Sequence, residues 1–343
     1  MVDITVRGAG IFGLSIAWAC TQRGARVQVV DPHGPASGSS GGVVGALAPH
    51  VPENWNAKKA FQCDSLIMAE PFWRDVEDTS GCTSGYMRSG RLQPIADANA
   101  LTLAQGRAET SKALWPDSAQ WEVVTATNTD WEPPSPSGML IRDTLSALIH
   151  PRQACAALVS ALARKGTRIV PDAPDQGLVL WATGVAGLEA LSAGHHRSVG
   201  NGVKGQAALL RYDAAGAPQV FAEGIHIIPH LDGTVGVGST SERDFEEADS
   251  TDAQLDVVIA KARAALPVLA DAPVIDRWAG VRPRARSRAP MLGPWPDRPG
   301  HFIANGGFEI GFGMAPKVAA VMADLMLEGR DGIPQGFHVT DNF

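Results

Sequence analysis

Residues 2–7, with Val2, Ile4 and Val6 as apolar positions, read as a buried strand. Residues 12–23 carry apolar positions at helical spacing, and residues 26–31, Arg-Val-Gln-Val-Val-Asp, read as a second strand. A helix is predicted over 57–78, with Phe61, Leu66, Met68 and Phe72 as its apolar positions. Pro151 opens another helix running to about Lys165, since a first turn has no use for the N–H that proline lacks. Short strands follow at 167–170 and 177–182. Between these elements, residues 88–140 change character, with a helix at 97–114 and a Pro/Ser-rich break at 133–137. That break marks a candidate domain crossing. Residues 206–212, 225–229 and 234–238 alternate as sheet strands do, and Asp232-Gly233 supplies the turn between the last two. A helix at 252–266, strands at 274–278 and 301–304, a glycine-rich loop at 305–313 and a closing helix at 315–327 complete the chain. The strands near both ends suit one fold, and those in the middle suit a second sheet.

Composition narrows the class. At 343 residues the chain fits two domains, or one large α/β domain with an insertion. A hydrophobic share of 45% against 19% charged residues supplies a core and excludes wholesale disorder. With 37 glycines and 24 prolines, many turns are expected and a helical bundle is not. The net charge of −7 repels phosphate backbones, so no nucleic-acid partner is expected. Cys20, Cys63, Cys82 and Cys155 make no C-x-x-C pair, no zinc spacing and no disulfide framework, which suggests a reducing cytoplasm. No membrane span is expected, because no apolar run reaches about 18 residues. Ile11–Cys20 mimics the apolar part of a secretion signal, but Asp3 and a strand-like Ile4-Thr5-Val6 stand where its positive region would be.

The strongest motif is Gly8-Ala9-Gly10-Ile11-Phe12-Gly13, which follows a strand and opens a helix. Gly8 allows a tight turn, Gly10 lets the backbone approach a pyrophosphate, and Gly13 lets helix and strand pack closely. The helix N-terminus offers unpaired N–H groups to phosphate. Asp31, closing the second strand, accepts ribose hydroxyls. FAD and NAD share this fingerprint, so an NAD-dependent dehydrogenase stays open at this point. No metal site is expected: His226 and His230 fall on one face of a strand, but no third ligand accompanies them.

Other segments carry a resemblance. Ala36-Ser37-Gly38-Ser39-Ser40-Gly41-Gly42-Val43-Val44-Gly45-Ala46, Ala182-Thr183-Gly184, Trp278-Ala279-Gly280-Val281-Arg282-Pro283 and Asn305-Gly306-Gly307-Phe308-Glu309-Ile310-Gly311-Phe312-Gly313-Met314 occur in that order. Together they resemble the D-amino-acid oxidase superfamily, and within it glycine-oxidase-like and sarcosine-oxidase-like flavoproteins. The resemblance implies a Rossmann-like FAD-binding domain plus an antiparallel-sheet substrate domain, an α/β fold. It also implies FAD held without a covalent bond, since the covalent relatives use a cysteine near the C-terminal loop and Cys155 lies far upstream. Gly8, Gly10, Ile11, Phe12, Gly13, Asp31, Ser37, Ser39, Ser40, Gly41, Gly42, Val43, Thr183, Gly184, Gly306, Gly307, Phe308, Gly311, Phe312, Gly313 and Met314 are its implied cofactor contacts. Arg282 is the implied partner of a substrate carboxylate, which suits a guanidinium fork.

Glycine oxidases carry Arg where this loop has Glu309 and Tyr where a substrate-domain strand here has His226; both residues are candidate pocket walls. Asp172–Gly177 is also shorter than the excursion of relatives. The division expected is 1–86, 141–204 and 279–343 for FAD, with 87–140 and 205–278 for substrate. The implied reaction is oxidation of a small amino acid or amine by hydride transfer to flavin, with molecular oxygen as acceptor. The alternative is an RNA-modifying or non-catalytic flavoprotein module, against which the acidic charge and the absence of a basic stripe argue.

Overall fold

A computed structural model describes residues 2–343. Its first sheet has six strands in the order Met291–Pro294, His301–Asn305, Leu178–Trp181, Ile4–Arg7, Val27–Val30 and Arg168–Val170. All neighbours run parallel except the first pair. Ile4–Arg7 sits inside the sheet with Ile4, Thr5 and Val6 fully buried, as a strand covered on both faces must be. Helices Ile11–Gln22, Ala57–Ser80, Pro151–Arg164 and Gly311–Glu328 share one core, in which Leu14, Trp18, Trp73, Leu158 and Met322 are nearly or wholly sealed. The last helix starts at Gly311, earlier than the expected 315, after a single turn at Phe308–Ile310. It is long and apolar enough to cross a membrane, but Met314, Ala315, Val318, Ala319, Met322 and Ala323 are fully buried in that core. Its hydropathy belongs to a core helix.

The second sheet has eight strands in the order Val274–Ala285, Gly200–Arg211, Thr234–Gly238, Ile225–Pro229, Gln219–Ala222, Arg91–Pro94, Met139–Asp143 and Trp121–Thr125. It is antiparallel except where Gln219–Ala222 runs parallel to Arg91–Pro94. Helix Ala253–Ala265 covers one face, packing Leu255, Val258, Ile259 and Ala262 against Ala208, Leu210, Val235 and Val237. The alternate positions look the other way, toward Val43 and Val44.

Two strands are longer than their patterns predict. The strand expected at 206–212 begins at Gly200, and the one expected at 274–278 runs on to Ala285. Each is the other's partner along almost its whole length, so ladder pairing carries both past their apolar stretches. As a result, the expected domain cuts at 140, 204 and 278 each fall inside a strand of the second sheet.

Candidate active site

Close packing draws the glycine-rich segments together at the C-terminal edge of the first sheet. Gly8 has φ of 103°, and a Cβ there would lie 2.3 Å from the Ala182 carbonyl oxygen, which places the Ala182-Thr183-Gly184 turn on the first glycine loop. Gly13 meets Gly8 more closely still: a Cβ would stand 1.9 Å from the Gly8 oxygen. Ser40 Oγ accepts from the Ile11 N–H at 3.0 Å and ties the Ser-rich segment to the start of the first helix. From the other end of the chain, Gly307 packs against the Phe12 ring and Gly311 against Ile11. Asn305 Nδ2 donates to the Gly184 carbonyl at 2.8 Å, joining the Ala182-Thr183-Gly184 turn to the C-terminal glycine loop.

The remaining residues of the set take varied places. Asp31 Oδ2 accepts from the Ala9 N–H at 2.8 Å and Oδ1 from the His33 N–H at 2.9 Å, so this carboxylate also shapes the loop beside it. Ser39 and Gly41 form a single helical turn, and the Gly41 carbonyl accepts from Arg152 Nε. Gly42 lies under the Trp278 ring, and Val43 is buried against Ala207 and Leu209. Ser37 is exposed. Gly313 faces Leu66, and the Met314 side chain belongs to the core. FAD fits this cradle. The Phe12 and Gly13 amides have no acceptor among the described residues, and they stand at the positive end of their helix, beside the Gly8–Gly10 turn.

Strand register then decides which side chains roof the cradle. Val203 pairs with Arg282, Gly205 with Gly280, Ala207 with Trp278 and also with Gly238, and Gly238 with His226. Paired residues share a face, so Arg282, Trp278, Gly238, His226 and Phe221 all lie on the face turned toward Val43 and Val44. Arg282 is 9% exposed and lies against Gly205, where a Cβ would come within 2.7 Å of the guanidinium carbon. Its Nη1 donates to Ser239 Oγ at 2.9 Å, and Nη2 donates to the Thr240 carbonyl at 2.7 Å. Glu309 Oε1 stands 3.5 Å from Nη1, with the Glu309 side chain half exposed. Burial pushes the Arg282 pKa down, and the charges of Glu309 and Glu242 act against that. The Phe308 ring lies 5.4 Å from the Arg282 guanidinium. The buried Arg282 Nε has no hydrogen-bond partner.

The histidines separate by environment. His226 lies 4.7 Å from the Phe221 ring, and burial followed by the charge of Arg91 pushes its pKa down to about 4. His230, just past the same strand, is fully buried, and its Nε2 donates to the Val43 carbonyl at 3.0 Å. It also packs on His150 at 4.5 Å, and burial holds it at about 4 as well. No group of three potential metal ligands occurs among the described residues. His230, Ser239, Thr240 and Gly205 are parts of the site that sequence reading passed over. Only His230 left a trace, in its four-residue spacing from His226.

The chain matches proteins of known kind over nearly its whole length. It is 26% identical to a bifunctional ThiO/ThiG protein of a Nostoc species over 98% of this chain and 54% of the relative. It is 36% identical to a glycine oxidase of Pseudomonas aeruginosa over 38% of this chain and 36% of that one. The chain thus spans about half the length of the bifunctional relative it matches. A solved iminodiacetate oxidase from a Chelativorans species superposes with a TM-score of 0.86 at 20% identity, covering 98% of both chains, which establishes a common fold. The model of the DAO family, FAD-dependent oxidoreductases, matches residues 3–325, and the glycine cradle, the roof and the order of their segments agree with it: the chain belongs to that family.

Proposed function

We propose that the chain oxidises the C–N bond of a small amino acid or amine, with FAD bound without a covalent link and molecular oxygen as the final acceptor. The observation that carries this reading is Arg282: a guanidinium buried on the roof, looking into the cradle, next to the C-terminal glycine loop. Bound FAD would supply the hydride acceptor. The protein's task is then positioning and charge. Arg282 offers Nη1 to a substrate carboxylate, while Ser239 and the Thr240 carbonyl keep its fork from turning. Glu309 must give up part of its hold on Nη1 as the carboxylate arrives, and its Oε1 can then receive the substrate ammonium. His226, held neutral near neutral pH, presents a wall without charge. The FAD region is proposed to comprise 1–86, 141–204 and 279–343 and the substrate region 87–140 and 205–278, with strands Met139–Asp143, Gly200–Arg211 and Val274–Ala285 running across the cuts. Four free cysteines support a reducing, cytoplasmic setting.

The test is a peroxide-coupled screen of glycine, sarcosine, D-amino acids and simple amines, with anaerobic flavin bleaching run beside it. Bleaching without peroxide would make the protein a dehydrogenase. If none of these compounds bleached the flavin, the reading would fail.

A further inference from the structure

Four arginines stand beyond Arg282 with no carboxylate to balance them. Arg243, Arg284, Arg286 and Arg288, with Asn201 and Ala285, line a cavity of about 220 Å3. Arg282 has Glu309, but none of the other four has an acidic group within 4.0 Å among the described residues. The chain carries 36 acidic residues against 29 lysines and arginines, so a scarcity of acids does not explain this. Lys58 adds to the crowding. Its Nζ donates to the Arg288 carbonyl, and its pKa is pushed down first by burial and then by the charges of Arg284 and Arg288. Like charges this close repel, and an anion among them relieves the repulsion.

The cavity adjoins the active site. Its wall residue Ala285 fills the space beside Gly306, and Arg284 pairs with Gly307. The Arg284 guanidinium lies 5.3 Å from the Phe308 ring, and Arg282 lies 5.4 Å from the same ring. A molecule anchored at Arg282 therefore meets the first of the unbalanced arginines just past Phe308.

We propose that Arg243, Arg284, Arg286 and Arg288 form a small-anion site at the mouth of the active site, which takes a second acidic group, a carboxylate, phosphonate or phosphate, at the far end of the amine substrate. This deepens the amine-oxidation reading and rests on it. The substrate would carry one carboxylate at Arg282, its ammonium at Glu309, and its distal anion among the four arginines.

Sarcosine and iminodiacetate test this, because they differ by one carboxylate on the nitrogen substituent. The variant is Arg243→Gln with Arg286→Gln; both side chains are exposed, and neither makes an ion pair. At constant ionic strength, kcat/KM for iminodiacetate should fall roughly tenfold in the variant while that for sarcosine stays within about twofold. Inorganic phosphate should inhibit the wild type competitively and the variant weakly. Equal losses on the two amines, or no loss on either, would overturn the proposal. Phosphate binding without any preference for the dianionic amine would overturn its assignment to substrate. If the wild type oxidises neither amine, the amine reading fails separately, and calorimetric titration of phosphate into the FAD-loaded protein judges the site. Binding that weakens about tenfold in the variant supports it, and no binding to the wild type ends it.

Discussion

At the scale of single residues, charge and burial decide the behaviour of the site. Arg282 is a buried cation whose fork is held by Ser239 and Thr240. Replacing it by Ala removes a charged partner from a desolvated place, and the expected loss of substrate binding is about 2–5 kcal/mol. Arg282→Ala should raise KM for amino-acid substrates and leave FAD content unchanged; a normal KM would take Arg282 out of the pocket. Glu309 bears on the same fork from outside. Glu309→Arg should set a cation against the substrate ammonium and lower kcat/KM about tenfold for every amino acid on one amine panel; matching profiles for the two proteins would take Glu309 out of the pocket. His226 and His230 give a pH prediction. Both are held at about 4 when folded, against about 6.5 for a free histidine. The unfolded chain therefore binds protons first as pH falls, so stability from these groups is full above about 6.5 and drains away toward about 4. Each contributes at most roughly 1.4 kcal/mol per unit of pKa difference. The fall in Tm across that window should be shallower in His226→Phe than in the wild type; parallel curves would show that His226 is not held neutral by burial.

At the scale of elements, glycines set how closely segments approach. Gly13→Ala places a methyl against the Gly8 carbonyl, at a separation of 1.9 Å, so the first helix must move off its strand. Overpacking of this kind costs about 1–3 kcal/mol, and the displaced helix end should bind FAD poorly. Gly38→Ala is the matched control, since a Cβ there meets nothing within 4 Å. Flavin absorbance per protein should drop for the first variant and hold for the second; equal flavin content would mean that the helix approach tolerates a side chain. This helix and its neighbours were legible because local rules govern them: an apolar strand, glycines at a turn, an acid ending the next strand. The full span of Val274–Ala285 was not legible. Its second half, Gly280–Ala285, includes a proline and two arginines, and it is extended because Gly200–Arg211 lies alongside.

At the scale of the molecule, two sheets from interleaved stretches of chain close over one cofactor cradle. The cradle draws on both ends of the chain, so FAD should stabilise the whole fold by mass action, by about 2.7 kcal/mol at a hundredfold excess over Kd. Its attachment should be reversible. Cys155, the last cysteine in the sequence, is buried inside a helix of the core. Acid precipitation should therefore leave all yellow colour in the supernatant, and colour in the pellet would contradict a non-covalent flavin.

The sequence by itself determined the strand–turn–helix around Gly8 to Gly13 and the strands at 225–229 and 234–238. These follow from spacing, turn chemistry and alternation, which act between near neighbours in the chain. Only the tertiary structure decided that Arg282 is sunk on Gly205, that Glu309 faces it, that His230 holds Val43, and that Arg284, Arg286 and Arg288 gather with Arg243 around one cavity. Those relations join residues far apart in the chain through strand register and loop packing. A side chain's partner across a sheet depends on which strand lies beside it, and no local pattern in the chain encodes that.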